Sequence, residues 1–237
     1  MIYIKNQNIC LLRVPKTGST SLWWFLIENN LVDKEGSYSR RCFSEKIKKS
    51  SIPLDYSKNI DKSHARHSHM DVKYILENKV IPVNKDTKFV ATIRNPIERV
   101  LSLYLYRCRK GEYQNNVPNK EDFKREVLEN TRAPRGCIKD HAWQMQFQHT
   151  FLNGTENPIW WCYDYLQEHL KEMFGDYTLD KLNVTNIKGK STKESLSYFY
   201  DKEILEAVLD YWKDDYQLWK KVKKEYEDTH YGVTRLR

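Results

Sequence analysis

Three short stretches of the sequence carry side chains that bind phosphate or move protons. Residues 15–21 read Pro-Lys-Thr-Gly-Ser-Thr-Ser and combine one lysine with small hydroxyl residues. Residues 94–104 read Arg-Asn-Pro-Ile-Glu-Arg-Val-Leu-Ser-Leu-Tyr, which places Arg94 eight positions before Ser102. Three of the seven histidines, His64, His67 and His69, fall within six residues. Phosphate binding and acid–base catalysis are therefore the chemistry that the rest of the sequence has to support.

The first stretch is predicted to be a loop between a strand and a helix. Residues 9–14 form an apolar run interrupted only by Arg13, and residues 22–30 have helical spacing. Backbone N–H groups at a helix start attract phosphate, and Lys16 adds a mobile positive charge. In nucleotide-kinase loops a glycine stands well before the lysine, whereas here the lysine precedes Gly18. The pattern predicts a phosphate loop of another kind, with a helix cap rich in serine and threonine as the alternative.

The second stretch is predicted to follow a central strand. Residues 88–94 are mostly apolar and β-branched, as in a buried parallel strand, and Asn95-Pro96 is typical of a helix start. Arg94 then lies at the carboxyl end of the strand, where open α/β sheets bind ligands. Ser102 follows Asn95 by about two helical turns and returns to the same side of the helix. Together Arg94 and Ser102 could hold one phosphate; an arginine bonded to strand-end carbonyls, with a packed serine, is the alternative.

Taken together, the two stretches resemble the two cofactor motifs of sulfotransferases. Those motifs have the forms Pro-Lys-Thr-Gly-Ser-Thr-Ser and Arg-x-Pro-x-x-Arg-x-x-Ser-x-Tyr, which residues 15–21 and 94–104 match. The chain looks most like the glycan sulfotransferases, including the uronyl 2-O type. The match spans residues 9–30 and 64–106.

The resemblance implies a donor, 3′-phosphoadenosine 5′-phosphosulfate (PAPS), and a product, adenosine 3′,5′-bisphosphate (PAP). Lys16 is then catalytic and contacts the bridging oxygen and the transferring sulfuryl group. Arg94 and Ser102 hold the 3′-phosphate. The 5′-phosphate is assigned to the rest of the loop, Thr17, Gly18, Ser19, Thr20 and Ser21. The family chemistry needs no metal.

Sulfuryl transfer also needs a base that accepts the proton of the acceptor hydroxyl, and histidine suits that role near neutral pH. In the uronyl 2-O branch a His-Gly-His element lies between the two cofactor motifs, and its second histidine is the base. His67-Ser68-His69 is similar in position and spacing. The resemblance therefore implies His69 as the base, with His67 as helper or alternate. A glutamate base, as in another branch, and an exposed or adventitiously metal-binding histidine cluster stay open.

The composition favours an anionic partner without naming it. The net charge is +8, and 16 Tyr and 7 Trp could line a cleft for a ring-shaped ligand. Arg13, just before the loop, would suit an acidic sugar. We expect an acceptor hydroxyl on a carbohydrate, with a phenol as the alternative. No nucleic-acid-binding motif accompanies the charge.

These residues require an α/β fold, with a P-loop-like central parallel sheet flanked by helices and a largely helical C-terminal half. We expect residues 1–237 to form a single domain. Helices are predicted at 119–130, 139–152, 157–174, after 191–194 and at 201–226, and residues 33–63 are predicted to be a long loop. A phosphotransferase on the same scaffold would need an acidic strand-end residue for Mg²⁺, which the second motif lacks. A polyanion-binding module is the alternative that is not an enzyme.

Cysteine use and hydropathy predict a cytoplasmic protein. The five cysteines are widely spaced and form no C-x-x-C pair, which argues against a zinc site and favours free thiols. No apolar run approaches the ~20 residues of a membrane span. A removed N-terminal anchor is left open.

Overall fold

A four-stranded sheet lies at the centre of the fold. The computed structural model describes residues 1–4, 7–29, 31, 70–112, 117–132, 147–175 and 192–231. Its strands are β1 (Ile2–Ile4), β2 (Ile9–Leu12), β3 (Lys88–Ile93) and β4 (Pro158–Cys162), in the order β1-β2-β3-β4. β1 and β2 are antiparallel, as expected of a hairpin, whereas β2 and β3 are parallel, with Ile9 opposite Lys88 and Leu12 opposite Ala91. The parallel pair places the carboxyl ends of β2 and β3 at the same edge.

The helices follow in chain order, and most of them lie in the second half. They are α1 (Ser19–Glu28), α2 (Val72–Glu77), α3 (Pro96–Arg109), α4 (Lys120–Arg132), α5 (Leu166–Phe174), α6 (Thr192–Phe199), α7 (Lys202–Tyr211) and α8 (Lys213–Tyr231). Two 3₁₀ turns, Gln148–Thr150 and Tyr163–Tyr165, stand on either side of β4. The predicted fold class, a sheet flanked by helices with a helical C-terminal half, is confirmed.

The chain divides into two compact units. The first contains β1, β2, most of β3 and β4, and helices α1, α2 and α5. Its core includes Cys10 and Leu12 of β2, Phe89 and Ala91 of β3, and residues of α2 such as Ile75. Alternate strand residues therefore pack on α2, and the intervening ones are buried as well, as expected of a sheet covered on both faces.

The second unit contains α3, α4, α6, α7 and α8. Tyr104, Phe123 and Phe199 pack ring against ring, with centroids 5.2 to 5.6 Å apart, and join α3, α4 and α6. The Tyr104 hydroxyl donates to the Asn119 carbonyl and accepts from the Asn119 N–H, both at 2.9 Å. This cluster fixes α3, the helix that carries Ser102.

Three predicted elements differ from the structure. Residues 158–162, predicted as helix, form β4, because Ile159, Trp160 and Trp161 favour a strand. The predicted helix at 201–226 is two helices that meet at Trp212. Of the predicted helix at 139–152, residues 139–146 lie outside the described residues. Its last part contains the 3₁₀ turn Gln148–Thr150 instead of an α-helix. The predicted long loop at 33–63 is also outside them.

The described residues contain neither a membrane-spanning helix nor a disulfide bond. None of their helices is long and apolar enough to cross a membrane. The cysteines among them, Cys10, Cys108 and Cys162, are buried and form no disulfide bond.

Candidate functional site

The loop between β2 and α1 contains two residues in the left-handed region and leads directly into a helix N-terminus. Lys16 and Gly18 both have positive φ angles, 65° and 81°. α1 begins at Ser19, three residues earlier than the spacing predicted, and the Leu22 N–H donates to the Gly18 carbonyl at 2.9 Å. The N–H groups of Ser19, Thr20 and Ser21 therefore belong to the first turn, which has no preceding helical carbonyls to bond. This N-terminus also carries the positive end of the helix dipole.

The loop side chains do not all face the same environment. Thr17 is fully buried, and its hydroxyl donates to the Val14 carbonyl at 3.0 Å. The Thr92 hydroxyl of β3 lies 2.5 Å from the hydroxyl oxygen of Thr17. Because the single proton of Thr17 is given to Val14, Thr92 is the donor in that pair. The Thr17 side chain thus connects the loop to β3.

The other predicted loop residues differ in exposure. Ser19 and Ser21 are buried, Thr20 is exposed, and Lys16 and Gly18 are half-buried. Arg13, between β2 and the loop, is also half-buried, and its desolvation lowers the pKa of the guanidinium.

Arg94 directly follows β3, and its side chain is held on two sides. Its Nε and Nη2 donate to one carboxylate oxygen of Glu98, at 3.2 and 3.1 Å. The guanidinium carbon lies 4.3 Å from the centroid of the Tyr163 ring. The side chain is only 4% exposed. A buried guanidinium that is held in one orientation can bind a phosphate through charge-assisted hydrogen bonds.

The main chain of Arg94 is held by a single side chain. Gln148 accepts from the Arg94 N–H at 2.8 Å and donates to the Arg94 carbonyl at 2.9 Å. The main-chain donor and acceptor of Arg94 are thus both bonded by one amide side chain.

A buried carboxylate, Asp215, anchors this arrangement. Asp215 accepts from the Gln148 N–H at 2.8 Å and from the His149 N–H at 2.9 Å, and the His149 Nδ1 lies 2.7 Å from it. Arg99 stands 3.8 Å away and is also buried, and its burial lowers its pKa to about 10. The hydrogen bond to Asp215 raises the pKa of His149. The buried Asp215 carboxyl group therefore has hydrogen-bond donors on both oxygens, with Arg99 and His149 as its basic neighbours.

Ser102 lies on α3, the helix that begins directly after Arg94. Asn95 caps that helix by accepting from the Ile97 N–H at 3.0 Å, and Pro96 is its first residue, as predicted. Ser102 is 8% exposed. Arg94 and Ser102 belong to the same unit of the chain.

The predicted base lies outside this description. His67 and His69, with their neighbour His64, are not among the described residues, and their role stays a prediction. Within the described part of the chain, no group of three His, Cys, Asp or Glu side chains is placed to hold a metal ion.

Sequence reasoning missed the residues that hold Arg94, namely Gln148, Asp215 and Tyr163. One signal for Asp215 was available. It stands three positions after Trp212 and seven before Val222, both buried, so it lies on the apolar face of an amphipathic helix. A carboxylate on that face needs a buried partner.

The comparisons with known proteins agree with the motifs. The family model described as the sulfotransferase family matches residues 1–221. No curated protein and no solved structure matches the chain. Since the match covers nearly all of the 237 residues, both motif stretches and Asp215 lie within it. The chain belongs to the sulfotransferase family.

Proposed function

We propose that this protein transfers a sulfuryl group from PAPS to a hydroxyl group of a carbohydrate. Membership of the family supports sulfuryl transfer. The donor assignment depends above all on Arg94, a buried arginine at the carboxyl end of β3 whose guanidinium and main chain are both held in place. A 3′-phosphate is the group that distinguishes PAPS from ATP, and such an arginine is suited to bind it.

Each end of the donor is assigned to its own set of residues. The N–H groups of the α1 N-terminus, with the hydroxyls of Ser19, Thr20 and Ser21, bind the 5′-phosphate. Thr17 and Gly18 contribute through the loop backbone, which the Thr17 hydroxyl holds against β3. Arg94 and Ser102 bind the 3′-phosphate. Glu98 and Tyr163 restrain the guanidinium plane and reduce the entropy that is lost when the phosphate binds.

The reaction is a transfer from one oxygen to another. The acceptor oxygen forms a bond to sulfur while the bond between sulfur and the bridging oxygen of the donor breaks, which releases PAP. Lys16 donates a hydrogen bond to the bridging oxygen as negative charge develops there, the kind of interaction that is strongest in the transition state. His69 accepts the proton of the acceptor hydroxyl, with His67 as its helper or alternate and a glutamate as the competing base. No metal takes part in this scheme.

The acceptor is proposed from charge. The net charge of +8 favours an anionic substrate, and Arg13 places a guanidinium next to the loop that holds the transferred group. An acidic saccharide fits both features, and a phenol fits only the aromatic content.

Calorimetry with PAP and 5′-AMP tests the donor assignment. We expect PAP to bind at least about tenfold more tightly, since each hydrogen bond to the charged 3′-phosphate contributes roughly 1.5–3 kcal/mol. Arg94→Ala should remove the preference and leave AMP binding in place. Equal affinities in the wild-type protein would refute the assignment. A screen of saccharide and phenol acceptors with labelled PAPS then tests the acceptor class.

A further inference from the structure

The hydrogen bonds of β3 continue for one residue beyond the strand through a side chain. β3 ends at Ile93, and the next residue, Arg94, has both its N–H and its carbonyl bonded to the amide of Gln148. Gln148 is fully buried. Water therefore has no access to replace the amide, and the main-chain position of Arg94 depends on this side chain.

Gln148 is itself held by a more distant element. Asp215 on α8 accepts from the Gln148 main-chain N–H at 2.8 Å, and the Gln148 Nε2 lies 3.4 Å from the same oxygen. A chain of contacts thus leads from α8 through Gln148 to Arg94, and all three residues belong to one compact unit. Asp215 has no exposed surface, so its charge must stay bonded to these donors.

These contacts hold the main chain of Arg94, whereas the ion pair with Glu98 holds its guanidinium. Glu98 and Tyr163 fix the plane of the guanidinium, whereas Gln148 fixes the backbone from which the side chain extends. A guanidinium binds phosphate with two parallel hydrogen bonds only when its origin and its plane are both correct. A displacement of about 1 Å is enough to lose much of such an interaction.

We propose that Gln148, anchored by Asp215, is a positioning residue that presents Arg94 to the 3′-phosphate of the donor. The inference rests on the proposed function, because it takes the 3′-phosphate as the ligand of Arg94. It assigns to Gln148 a contribution to the discrimination between PAP and AMP, beyond any contribution to stability.

The test measures that discrimination in Gln148→Met, which keeps the length of the side chain and removes both hydrogen bonds. The ratio of the AMP dissociation constant to the PAP dissociation constant is measured by calorimetry, with circular dichroism as the check on folding. We expect the ratio to fall by about tenfold, the value of one charge-assisted hydrogen bond, while AMP affinity stays within about twofold. A ratio equal to that of the wild type overturns the inference. A wild-type protein without any preference for PAP instead refutes the proposed function.

A second variant, Gln148→Glu, separates positioning from packing. A protonated carboxyl group has one donor and one acceptor, like the amide, whereas the ionised form only accepts and repels the Arg94 carbonyl. The PAP/AMP discrimination of this variant, divided by that of the wild type, should therefore rise as the pH falls. Among the described residues, the charged and titratable groups around position 148 are Asp215, Arg99, His149 and Arg94, with Glu98, Tyr163 and Asp214 next to these.

The pH series uses the first variant as its control, and it also decides the question if that variant fails to fold. Gln148→Met carries no titrating group at this position, so its discrimination relative to the wild type should not change with pH. A Gln148→Glu series that is flat in the same way overturns the inference. If Gln148→Met fails to fold, the Gln148→Glu series alone supports or overturns it.

Discussion

Replacing Thr17 by valine distinguishes two roles of its hydroxyl. The sequence motif assigns Thr17 to the 5′-phosphate, whereas in the structure its hydroxyl is fully buried and bonded to Val14 and Thr92. Valine keeps the shape of the side chain and removes the oxygen. If the hydroxyl is structural, the variant loses stability and keeps its affinity for PAP.

The contacts set the size of the effect. Thr17→Val leaves the Val14 carbonyl and the Thr92 hydroxyl without this partner, and an unsatisfied buried polar group costs roughly 1–3 kcal/mol. Thr92 can turn its proton elsewhere, so we expect a loss of about 2–3 kcal/mol in the free energy of unfolding. Thr92→Val keeps the bond from Thr17 to Val14 and should cost about 1 kcal/mol. The double variant should lose about 1 kcal/mol less than the sum of the two single losses, because the two hydroxyls are in contact.

Urea denaturation followed by tryptophan fluorescence measures these losses, and calorimetry with PAP measures the affinity. Thr92→Val is the matched control, since it lies outside the loop and changes the same hydrogen bond. The reasoning is refuted if Thr17→Val keeps wild-type stability and binds PAP at least about tenfold more weakly, because the hydroxyl would then bind the nucleotide.

Three further predictions concern charge and protons. Lys16→Ala should lower turnover by about 10²–10³ and PAP affinity much less, since the charge is needed most in the transition state; a raised Michaelis constant for the donor with intact turnover would contradict this. His69→Ala should lower transfer by about 10²–10⁴ with PAP binding unchanged, with His67→Ala as the comparison; near-full activity in His69→Ala would point to a glutamate base. His149→Gln should be destabilising mainly at low pH. Because Asp215 raises the pKa of His149 above 6.5, the stabilisation is complete below that value and is lost as the pH rises through the raised pKa. Urea denaturation across pH would show a constant difference from wild type if this were wrong.

The part of the site that the sequence predicted is the part built from neighbouring residues. The run of apolar residues predicted β3, and Asn95-Pro96 predicted the start of α3, where Asn95 does accept from the Ile97 N–H. The loop after β2 was predicted for the same reason. Its helix begins earlier than expected because Ser19, Thr20 and Ser21 carry no apolar signal, although small polar residues are common in a first turn.

The missed part depends on contacts between distant residues. Gln148 is 54 positions from Arg94, and Asp215 is 67 positions from Gln148. No local pattern specifies such a pair, because the place of Asp215 on an apolar helix face indicates a buried partner without indicating which residue that partner is. The missed strand, β4, lay within a segment that also reads as helical. The roles of Lys16, His69 and the other site residues stay predictions that the experiments above address.

The positive φ of Lys16 would oppose stability to the proposed activity at a single position. A residue with a side chain pays about 1–2 kcal/mol to adopt the left-handed region, and glycine does not. Lys16→Gly should therefore raise the melting temperature and, if Lys16 has the proposed catalytic role, lower the turnover. Selection for stability alone would favour losing this lysine, so a search for thermostable variants of this chain should hold position 16 fixed or score activity in the same screen.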